Sequence, residues 1–325
     1  MRLPMKIALA IALLGWWTTP GAMVAQPATV RHARLYGIAG SRVLNHVNHN
    51  DAKAALKVWF DAVAQQRGFV LDSKVDVAES VAEIRERLQS HTVDLLVLDV
   101  ADYLELESSR LMVPVLAHSR GVQGVAPYCY VLLVNPTSAA TGISGLRGKN
   151  ILVSSRNASN TGLVWMEVLL GKEKLGRAAS FFGSIKIVDK PQACILPLFF
   201  GTMDGCVVDE TNLNLAKELN PQLGRLRVLE RSRPMIESII AMPVEPLAYK
   251  KELIDAMLSL HLDPRGRQLL TVFKTDRLVP FQAAYLDAGR ELWREYYRLP
   301  GSPANRAAGS AVAEGNPADR GKEKY

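Results

Sequence analysis

Short apolar segments alternate with amphipathic segments along most of the chain. The segments at 33–39 and 69–75 have the length of strands, and 93–98 is predicted to be an apolar central strand. Between them, residues 51–66 and 78–88 repeat apolar side chains at helical spacing. Strands that alternate with helices are typical of α/β folds, in which helices cover the faces of a parallel sheet. The pattern predicts such a sheet in the first third of the chain.

A second alternation begins after Pro127. It predicts strands at 128–135, near Ile151, and at 184–188, 205–208 and 225–229, with helices at 163–170 and 191–200. The chain is then expected to return to the first unit through a strand at 236–242 and a helix at 249–260. An amphipathic helix at 282–298 is expected to pack on that first unit. We therefore predict two α/β lobes joined by two crossings of the chain.

The two ends of the chain differ from the rest. Arg2 and Lys6 precede an uncharged stretch at 7–17 that is followed by small residues, which is the order found in secretory signal peptides. The sequence predicts a signal peptide over 1–25, cleaved near Ala25, and a periplasmic mature protein; an uncleaved N-terminal anchor is the alternative. Residues 300–325 carry few large apolar side chains and are predicted to form a disordered tail.

Charge and cysteine content narrow the classes of partner. The formal net charge is +7, and the basic residues are scattered without interleaved aromatic residues, so nucleic acid is not expected as a partner. A modest positive excess is compatible with an anionic small molecule. The chain has three cysteines, Cys129, Cys194 and Cys206, so at least one thiol stays unpaired in a monomer. Whether Cys194 pairs with Cys206 stays open, because sequence separation does not establish disulfide geometry.

The loop before the helix at 163–170 carries the most informative chemistry. The first turn of a helix leaves backbone N–H groups unpaired and carries partial positive charge, so it can hold a small anion. Ser159, Asn160 and Thr161 add side-chain donors there, and Gly162 removes a side chain that could block close approach. The alternative is an ordinary helix cap, since these residue types are preferred caps with or without a ligand.

Polar residues at other predicted strand ends are candidate walls of the same pocket. Ser41 and Asn45 follow the first strand, and Asp102 and Tyr103 follow the strand at 93–98. Ligands of open α/β sheets gather at the carboxyl ends of strands. Strand-end carboxylates also serve as helix caps, which is the competing interpretation.

The order of these segments resembles the periplasmic phosphate, phosphite and phosphonate substrate-binding proteins of ABC importers. The segments that carry the resemblance are 93–98 (VDLLVL), 145–149 (GLRGK), 158–162 (ASNTG), 201–210 (GTMDGCVVDE) and 226–232 (LRVLERS). The resemblance implies a two-lobed type II periplasmic binding protein fold with a ligand cleft between the lobes. The first lobe would comprise 29–127 and 232–299, and the second 128–231.

The resemblance also implies roles for particular residues. The family holds the phosphonate group with a Ser-Thr-Ser-Gly run, which corresponds here to Ser159, Asn160, Thr161 and Gly162, so one hydroxyl has become an amide. Tyrosines also line the family pocket, and the corresponding candidates here are Tyr128, Tyr130 and Tyr103. An acidic residue contacts the cationic tail of some family ligands; it corresponds to Asp209, with Glu210 as the alternative. A family histidine is replaced by Pro191, and the adjacent Lys190 can supply positive charge.

Catalytic and metal-binding motifs are not evident. The sequence has no Gly-x-Ser-x-Gly elbow and no phosphate-binding Gly-x-x-x-x-Gly-Lys run. His46, His49 and Asp51 give at most an incomplete metal-ligand set, and polar loop and cap roles explain them as well. We expect no catalysis, no metal and no cofactor.

These observations predict a monomeric periplasmic receptor that captures a small oxyanion, a phosphonate or a related phosphorus compound, for the membrane permease of an ABC importer. A receptor for a membrane sensor kinase would use the same binding physics and is the main alternative. A periplasmic enzyme is the third reading.

Overall fold

The computed structural model describes residues 31–44, 48–66, 69–119, 127–154, 160–273 and 275–302. The predicted signal peptide, the loop residues Asn45, His46 and Ser159, and the predicted tail beyond residue 302 lie outside the described residues. Ser302, near the start of the predicted tail, is buried, and its Oγ donates to the Tyr297 carbonyl at 3.0 Å.

The strands of the described residues form two sheets. They are β1 (Arg31–Gly40), β2 (Phe69–Ala78), β3 (Leu95–Asp99), β4 (Met112–Ser119), β5 (Tyr130–Val134), β6 (Asn150–Ser154), β7 (Ser184–Val188), β8 (Gly205–Asp209), β9 (Arg227–Arg231), β10 (Ser238–Pro243) and β11 (Arg277–Pro280). The first sheet has the order β11-β4-β10-β3-β1-β2, and the second has the order β7-β6-β8-β5-β9. We call the two sheets, with the helices between their strands, the first and second lobes.

The helices connect these strands and cover them. They are α1 (His49–Gln66), α2 (Val81–Gln89), α3 (Val100–Leu106), α4 (Thr161–Lys172), α5 (Ala178–Phe181), α6 (Pro191–Phe199), α7 (Glu210–Leu219), α8 (Lys250–Leu258), α9 (Pro264–Val272) and α10 (Asp287–Arg298). The mixed α/β architecture that the sequence predicts is confirmed.

The sheets are mixed rather than parallel throughout. β1 is parallel to β2 and β3, and β6 is parallel to β7 and β8, as the alternation of strands and helices predicts. In contrast, β10 is antiparallel to β3 and β4, and β5 is antiparallel to β8 and β9. The chain passes from β4 to β5 and returns from β9 to β10, so an antiparallel strand lies at both ends of each crossing.

The sequence pattern did not predict β4, and a proline explains the omission. Proline cannot donate to a strand ladder and is confined to edges and bulges. Here the pairing with β10 shifts register, so that Ile240 lies opposite Leu116 and Ala241 lies opposite Pro114. The irregularity places Val115 out of the β10 pairing and accommodates Pro114 in a non-edge strand.

Both faces of the central strands β3, β5 and β8 are buried. In β3, Leu95 and Val97 join one hydrophobic cluster of the first lobe, while Leu96 and Leu98 join the other. Strands covered on both sides read as continuous apolar runs, which is why the central strands were recognisable in the sequence. Burying one such leucine stabilises the fold by about 1.5–3 kcal/mol.

A disulfide joins Cys194 of α6 to Cys206 of β8, with the two Cα atoms 5.6 Å apart. Both cysteines are fully buried, and Cys129 is the free thiol. The pairing that the sequence left open therefore fastens α6 to the middle strand of the second sheet.

The last helix makes more contacts than the sequence predicts. The sequence predicts that it packs on the first lobe, and in the structure Leu292 of α10 is also buried in a hydrophobic cluster of the second lobe. Its Arg290 forms an ion pair with Glu107 just after α3 in the first lobe. α10 therefore contacts both lobes, because it carries anchoring side chains on two sides.

Candidate functional site

The two crossings connect one particular edge of each sheet. In the second lobe, the start of β5 at Tyr130 lies opposite the end of β8 at Asp209. In the first lobe, the start of β10 at Ser238 lies opposite the end of β3 at Asp99. We call these the hinge edges. The carboxyl ends of the parallel strands all fall on them, as expected for ligand sites of α/β sheets.

The start of α4 lies at the hinge edge of the second lobe, directly after β6 and its loop. Asn160 adopts a left-handed conformation (φ 50°, ψ 42°) and makes no side-chain cap bond to the helix. Its carbonyl oxygen accepts the N–H groups of Leu163 at 2.8 Å and Val164 at 3.0 Å. Thr161 and Gly162 are buried in the first turn. Ser159, the remaining member of the predicted group, lies outside the described residues.

Gly162 allows close packing of this turn on Tyr130. A Cβ atom at Gly162 would lie 3.1 Å from a ring carbon of Tyr130 and 3.3 Å from a methyl carbon of Val153. The sequence interpretation assigned the glycine to close approach of a ligand. In the structure, the Tyr130 ring makes the close approach, so the glycine positions the helix tip against β5 and β6.

The predicted tyrosines of the second lobe form an aromatic cluster next to the tip. Tyr130 is fully buried and Tyr128 is 8% exposed, with their ring centroids 5.4 Å apart and the rings nearly perpendicular. Tyr130 also stacks on Trp165 of α4 with centroids 6.5 Å apart. Trp165 was not singled out in the sequence, where it reads only as part of an apolar helix face. The three rings fix how α4 begins relative to the sheet.

Asp209 caps the next helix of the second lobe. Its Oδ1 accepts the N–H groups of Thr211 at 2.7 Å and Asn212 at 3.2 Å, and the residue is 1% exposed. This is the helix-cap role that the sequence analysis held as the alternative for strand-end carboxylates. The neighbouring Glu210 forms an ion pair with Arg231 at the end of β9. Both candidate carboxylates are thus already bonded to the protein.

Lys190 stands at the same hinge edge, between β7 and α6. It is exposed and precedes Pro191, the first residue of α6, and it makes no side-chain cap bond. Its ammonium group is an exposed positive charge near a helix start. The structure therefore brings Asn160, Thr161, Tyr130, Asp209 and Lys190 to one edge of the second sheet.

The first lobe contributes the turn that follows β1. Ser41 is half-buried, and its N–H donates to the Ala78 carbonyl at the end of β2 at 2.8 Å. A Cβ atom on Gly40 would lie 3.3 Å from Oδ2 of Asp102. Ser41 and Asp102 are therefore neighbours at the hinge edge, as predicted from their positions after two strands.

Asp102 is buried and paired with a residue that the sequence analysis did not select. Its Oδ1 lies 2.7 Å from Nη1 of Arg42, and the side chains are 4% and 37% exposed. Burial raises the pKa of Asp102 to about 6, although the Arg42 charge opposes that shift. Asp102 therefore orients a partly exposed guanidinium at the rim of the first lobe. The only signal in the sequence that could have selected Arg42 as a site residue was its position just after a predicted strand.

The Tyr103 hydroxyl does not point to the hinge edge. It donates to Oε1 of Glu107 at 3.2 Å. Glu107 lies one helical turn after Tyr103, away from the start of α3. Burial, followed by the Glu107 charge, raises the pKa of Tyr103 to about 12. Its hydroxyl is directed towards Glu107 and α10, so the structure does not bring it to the other candidate residues.

The described residues contain no group of three or more His, Cys, Asp or Glu side chains that could hold a metal ion. Of the histidines considered in the sequence, His49 begins α1 and its Nδ1 lies 3.7 Å from Oε1 of Glu79. Within the same described ranges, no helix is long and apolar enough to cross a membrane.

Two α/β lobes, two crossings and polar strand ends at the hinge edges define a ligand-binding protein of the type II periplasmic class. The chain belongs to the family described as "ABC transporter, phosphonate, periplasmic substrate-binding protein", whose model matches residues 43–286. That family consists of substrate-binding proteins rather than enzymes. The family resemblance and the fold class that the sequence predicts are confirmed.

Solved structures show the same fold at low sequence identity. A Xanthomonas citri protein bound to ATP is 17% identical, with a TM-score of 0.61 and coverage of 82% of this chain and 97% of its own. A binding protein component of an ABC phosphonate transporter from Pseudomonas aeruginosa is 14% identical, with a TM-score of 0.53 and coverage of 88% and 95%. PhnD1 from Prochlorococcus marinus in complex with methylphosphonate is 14% identical, with a TM-score of 0.53 and coverage of 82% and 99%. A comparison with curated protein sequences finds no match.

Proposed function

We propose that this protein binds a small oxyanion, a phosphonate or a related phosphorus compound, at the start of α4 and delivers it to the membrane permease of an ABC importer. Family membership supports the transport role. The methylphosphonate in the complex of PhnD1, a protein of the same fold, supports the class of ligand.

The observation that carries the proposal is the start of α4. The starts of α2, α3 and α7 are closed by the side chains of Ser80, Asp99 and Asp209, which accept backbone N–H groups. Asn160 makes no such bond at α4. The Leu163 N–H is bonded to the Asn160 carbonyl, so the N–H groups of Thr161 and Gly162, together with the helix dipole, are the groups that would hold an anion at the hinge edge. Thr161 adds a hydroxyl at the same place.

The charges around this tip favour an anionic ligand. Asp209 caps α7, Glu210 pairs with Arg231, and Asp102 pairs with Arg42, so these three carboxylates are bonded to cationic or N–H donors. Lys190 adds an exposed positive charge at the same edge. A bound oxyanion would therefore meet donors and cations, and the lobes would close over it as in other binding proteins.

A ligand panel with one site variant tests this function. The panel contains phosphate, phosphite, methylphosphonate, 2-aminoethylphosphonate, sulfate and acetate, measured by thermal shift and calorimetry. A ligand at about 100 times its Kd stabilises the native state by about 2.7 kcal/mol. We expect a phosphorus oxyanion to give the largest shift. Thr161→Ala should weaken its binding about 10- to 150-fold, because a hydrogen bond to a charged group contributes about 1.5–3 kcal/mol.

Thr202→Ala is the matched control for that variant. Its hydroxyl donates to the Pro197 carbonyl at 3.0 Å, and it lies before the start of β8, at the edge of the second sheet away from the hinge. Wild-type affinity is expected in this control. Unchanged affinity in Thr161→Ala, or the absence of a shift across the whole panel, would contradict the assignment. Recovery of the ligand unaltered after incubation separates binding from catalysis.

Export belongs to the same proposal. Mass spectrometry of the protein from a periplasmic extract should show a mature chain that begins near Gln26, after cleavage at Ala25. Uptake that depends on a copurifying permease supports transport, whereas a signalling response that persists without uptake supports the sensor alternative.

A further inference from the structure

α10 joins the two lobes outside the two crossings. It follows β11 and a short 3-10 helix at Ala283–Leu286, both of which belong to the first lobe, and its 12 residues span about 18 Å. Leu292, Glu295, Tyr296 and Leu299 follow one another at helical spacing and contact the second lobe. Gly289, Arg290 and Tyr297 lie on another side of the helix and face the first lobe.

The second-lobe contacts are both apolar and ionic. Leu292 is 7% exposed within the hydrophobic cluster of that lobe, and Trp293, Tyr296 and Leu299 pack against the same cluster. Nζ of Lys172, the last residue of α4, lies 2.9 Å from Oε2 of Glu295. Leu299 covers Gly171, where a Cβ atom would overlap the Leu299 methyl group. The end of α10 is thereby fixed to the end of α4.

The first-lobe contacts are at the other side of the helix. Nε of Arg290 donates to Oε2 of Glu107 at 3.2 Å, and a second guanidinium nitrogen contacts Oε1, so the pair is bidentate. A Cβ atom on Gly289 would lie 3.2 Å from a methyl carbon of Val100, the first residue of α3. Glu291 also pairs with Arg233 in the return crossing. The helix therefore contacts the first lobe, the hinge and the second lobe.

α10 also bears on α4, the helix of the candidate site. Burial, followed by the Glu105 charge, raises the pKa of Tyr297 on α10, and the Arg42 charge opposes that shift. α4, whose first turn is the candidate anion site, is the same helix whose last turn is held by Glu295 and Leu299. A movement of one lobe against the other must therefore break or slide contacts of α10.

We propose that α10 is a clasp that holds the two lobes together and so regulates ligand release from the cleft. This inference rests on the proposed function only where its test measures ligand affinity. Two crossings alone let the lobes rotate about the hinge. The contacts of α10 with α4 tie the second lobe to the first and oppose their separation.

Charge exchange at the Lys172–Glu295 pair tests the clasp. Glu295→Lys places two cations together between the lobes, and Lys172→Glu in the same chain restores an attractive pair with reversed polarity. The control is Asp255→Lys, which breaks the Lys251–Asp255 pair at 2.7 Å within α8 of the first lobe alone. With methylphosphonate as the probe, Glu295→Lys should raise the Kd about 2- to 10-fold. The double variant should return it to within about twofold of the wild type, and Asp255→Lys should leave it unchanged.

A measurement without ligand separates this inference from the proposed function. Spin labels at the exposed positions Ala54 and Asn214, in a Cys129→Ser background, report the distance between the lobes by pulsed EPR. We expect a longer and broader distribution in Glu295→Lys, and a wild-type distribution in the double variant and in Asp255→Lys. An unchanged distribution in Glu295→Lys would overturn the clasp even if its melting temperature fell. If the distribution widens but no panel oxyanion binds the wild type, the clasp stands and the proposed function fails.

Discussion

Asp102 shows how one buried carboxylate sets the electrostatics of the first-lobe rim. It is 3% exposed, and the loss of hydration on burial outweighs the attraction of Arg42 in setting its raised pKa. The carboxylate therefore costs free energy as an anion, yet as an anion it holds the Arg42 guanidinium at 2.7 Å. Protonation near pH 6 would release that guanidinium from its partner.

Replacing Asp102 with asparagine should change the pH dependence of stability in a defined direction. The folded pKa of about 6 lies above the ordinary aspartate pKa of 3.8, so the native state binds more protons than the unfolded state between these values. The corresponding stabilisation is full below pH 3.8 and is lost as the pH rises to 6. Asp102→Asn should therefore gain about 2–3 kcal/mol relative to the wild type between pH 4 and pH 7, as measured by urea unfolding at each pH.

Asp76→Asn provides a control of opposite sign. A hydrogen bond from Lys53 lowers the pKa of Asp76, so its contribution is present at higher pH and is lost on acidification. Relative to the wild type, Asp76→Asn should lose stability as the pH rises through the acidic range. A pH-independent difference between the wild type and Asp102→Asn would refute the assigned burial of Asp102.

Individual site residues were predicted less completely than the strands that carry them. Strand ends and loop composition predicted that Asn160, Thr161, Ser41 and Asp102 lie at the carboxyl ends of strands, because helix-start and strand-end chemistry is local in sequence. The orientation of Tyr103 towards Glu107 depends on a packing partner 183 residues further along, since Arg290 is what holds Glu107. No local pattern encodes such a contact.

Among elements, those with a single strong periodicity were recognised and those with conflicting signals were not. β3 and β8 are continuous apolar runs and were predicted within two residues at each end. β4 contains Pro114 and was missed, since the bulge that accommodates it appears only when β10 is paired alongside. α10 was predicted as a helix, but which lobes it contacts depends on a tertiary arrangement that amphipathicity does not specify.

The link between α6 and β8 should contribute measurably to the stability of the second lobe. The disulfide closes a loop with a sequence separation of 12, for which chain-entropy arguments give about 3 kcal/mol. The Cys194→Ala, Cys206→Ala double variant should lose about this much free energy of unfolding in a urea titration. Cys129→Ala, which removes the free thiol, is the control and should stay within about 0.5 kcal/mol of the wild type. Equal losses in both variants would count against a stabilising bridge.

The molecule as a whole is two separately cored lobes with three connections. Each sheet lies between its own hydrophobic clusters, so either lobe could unfold alone if only the two crossings joined them. α10 adds an apolar contact, since Leu292 is buried in the second-lobe cluster although the helix continues from the first lobe. Large apolar contacts between lobes couple their unfolding, whereas small polar ones leave it independent.

Differential scanning calorimetry of two leucine variants should distinguish coupled from independent unfolding of the two lobes. The wild type is expected to unfold in one transition whose calorimetric and van 't Hoff enthalpies agree. Leu292→Ala and Leu269→Ala each remove a buried leucine, 7% and 5% exposed, and should each cost about 2–5 kcal/mol. Leu269 lies in a first-lobe cluster alone, so its variant should melt earlier but still in one transition. Leu292→Ala should split or broaden the transition, because the lobes lose their common apolar contact. Its calorimetric enthalpy should then exceed the van 't Hoff value. A single sharp transition in this variant would mean that the crossings alone couple the lobes.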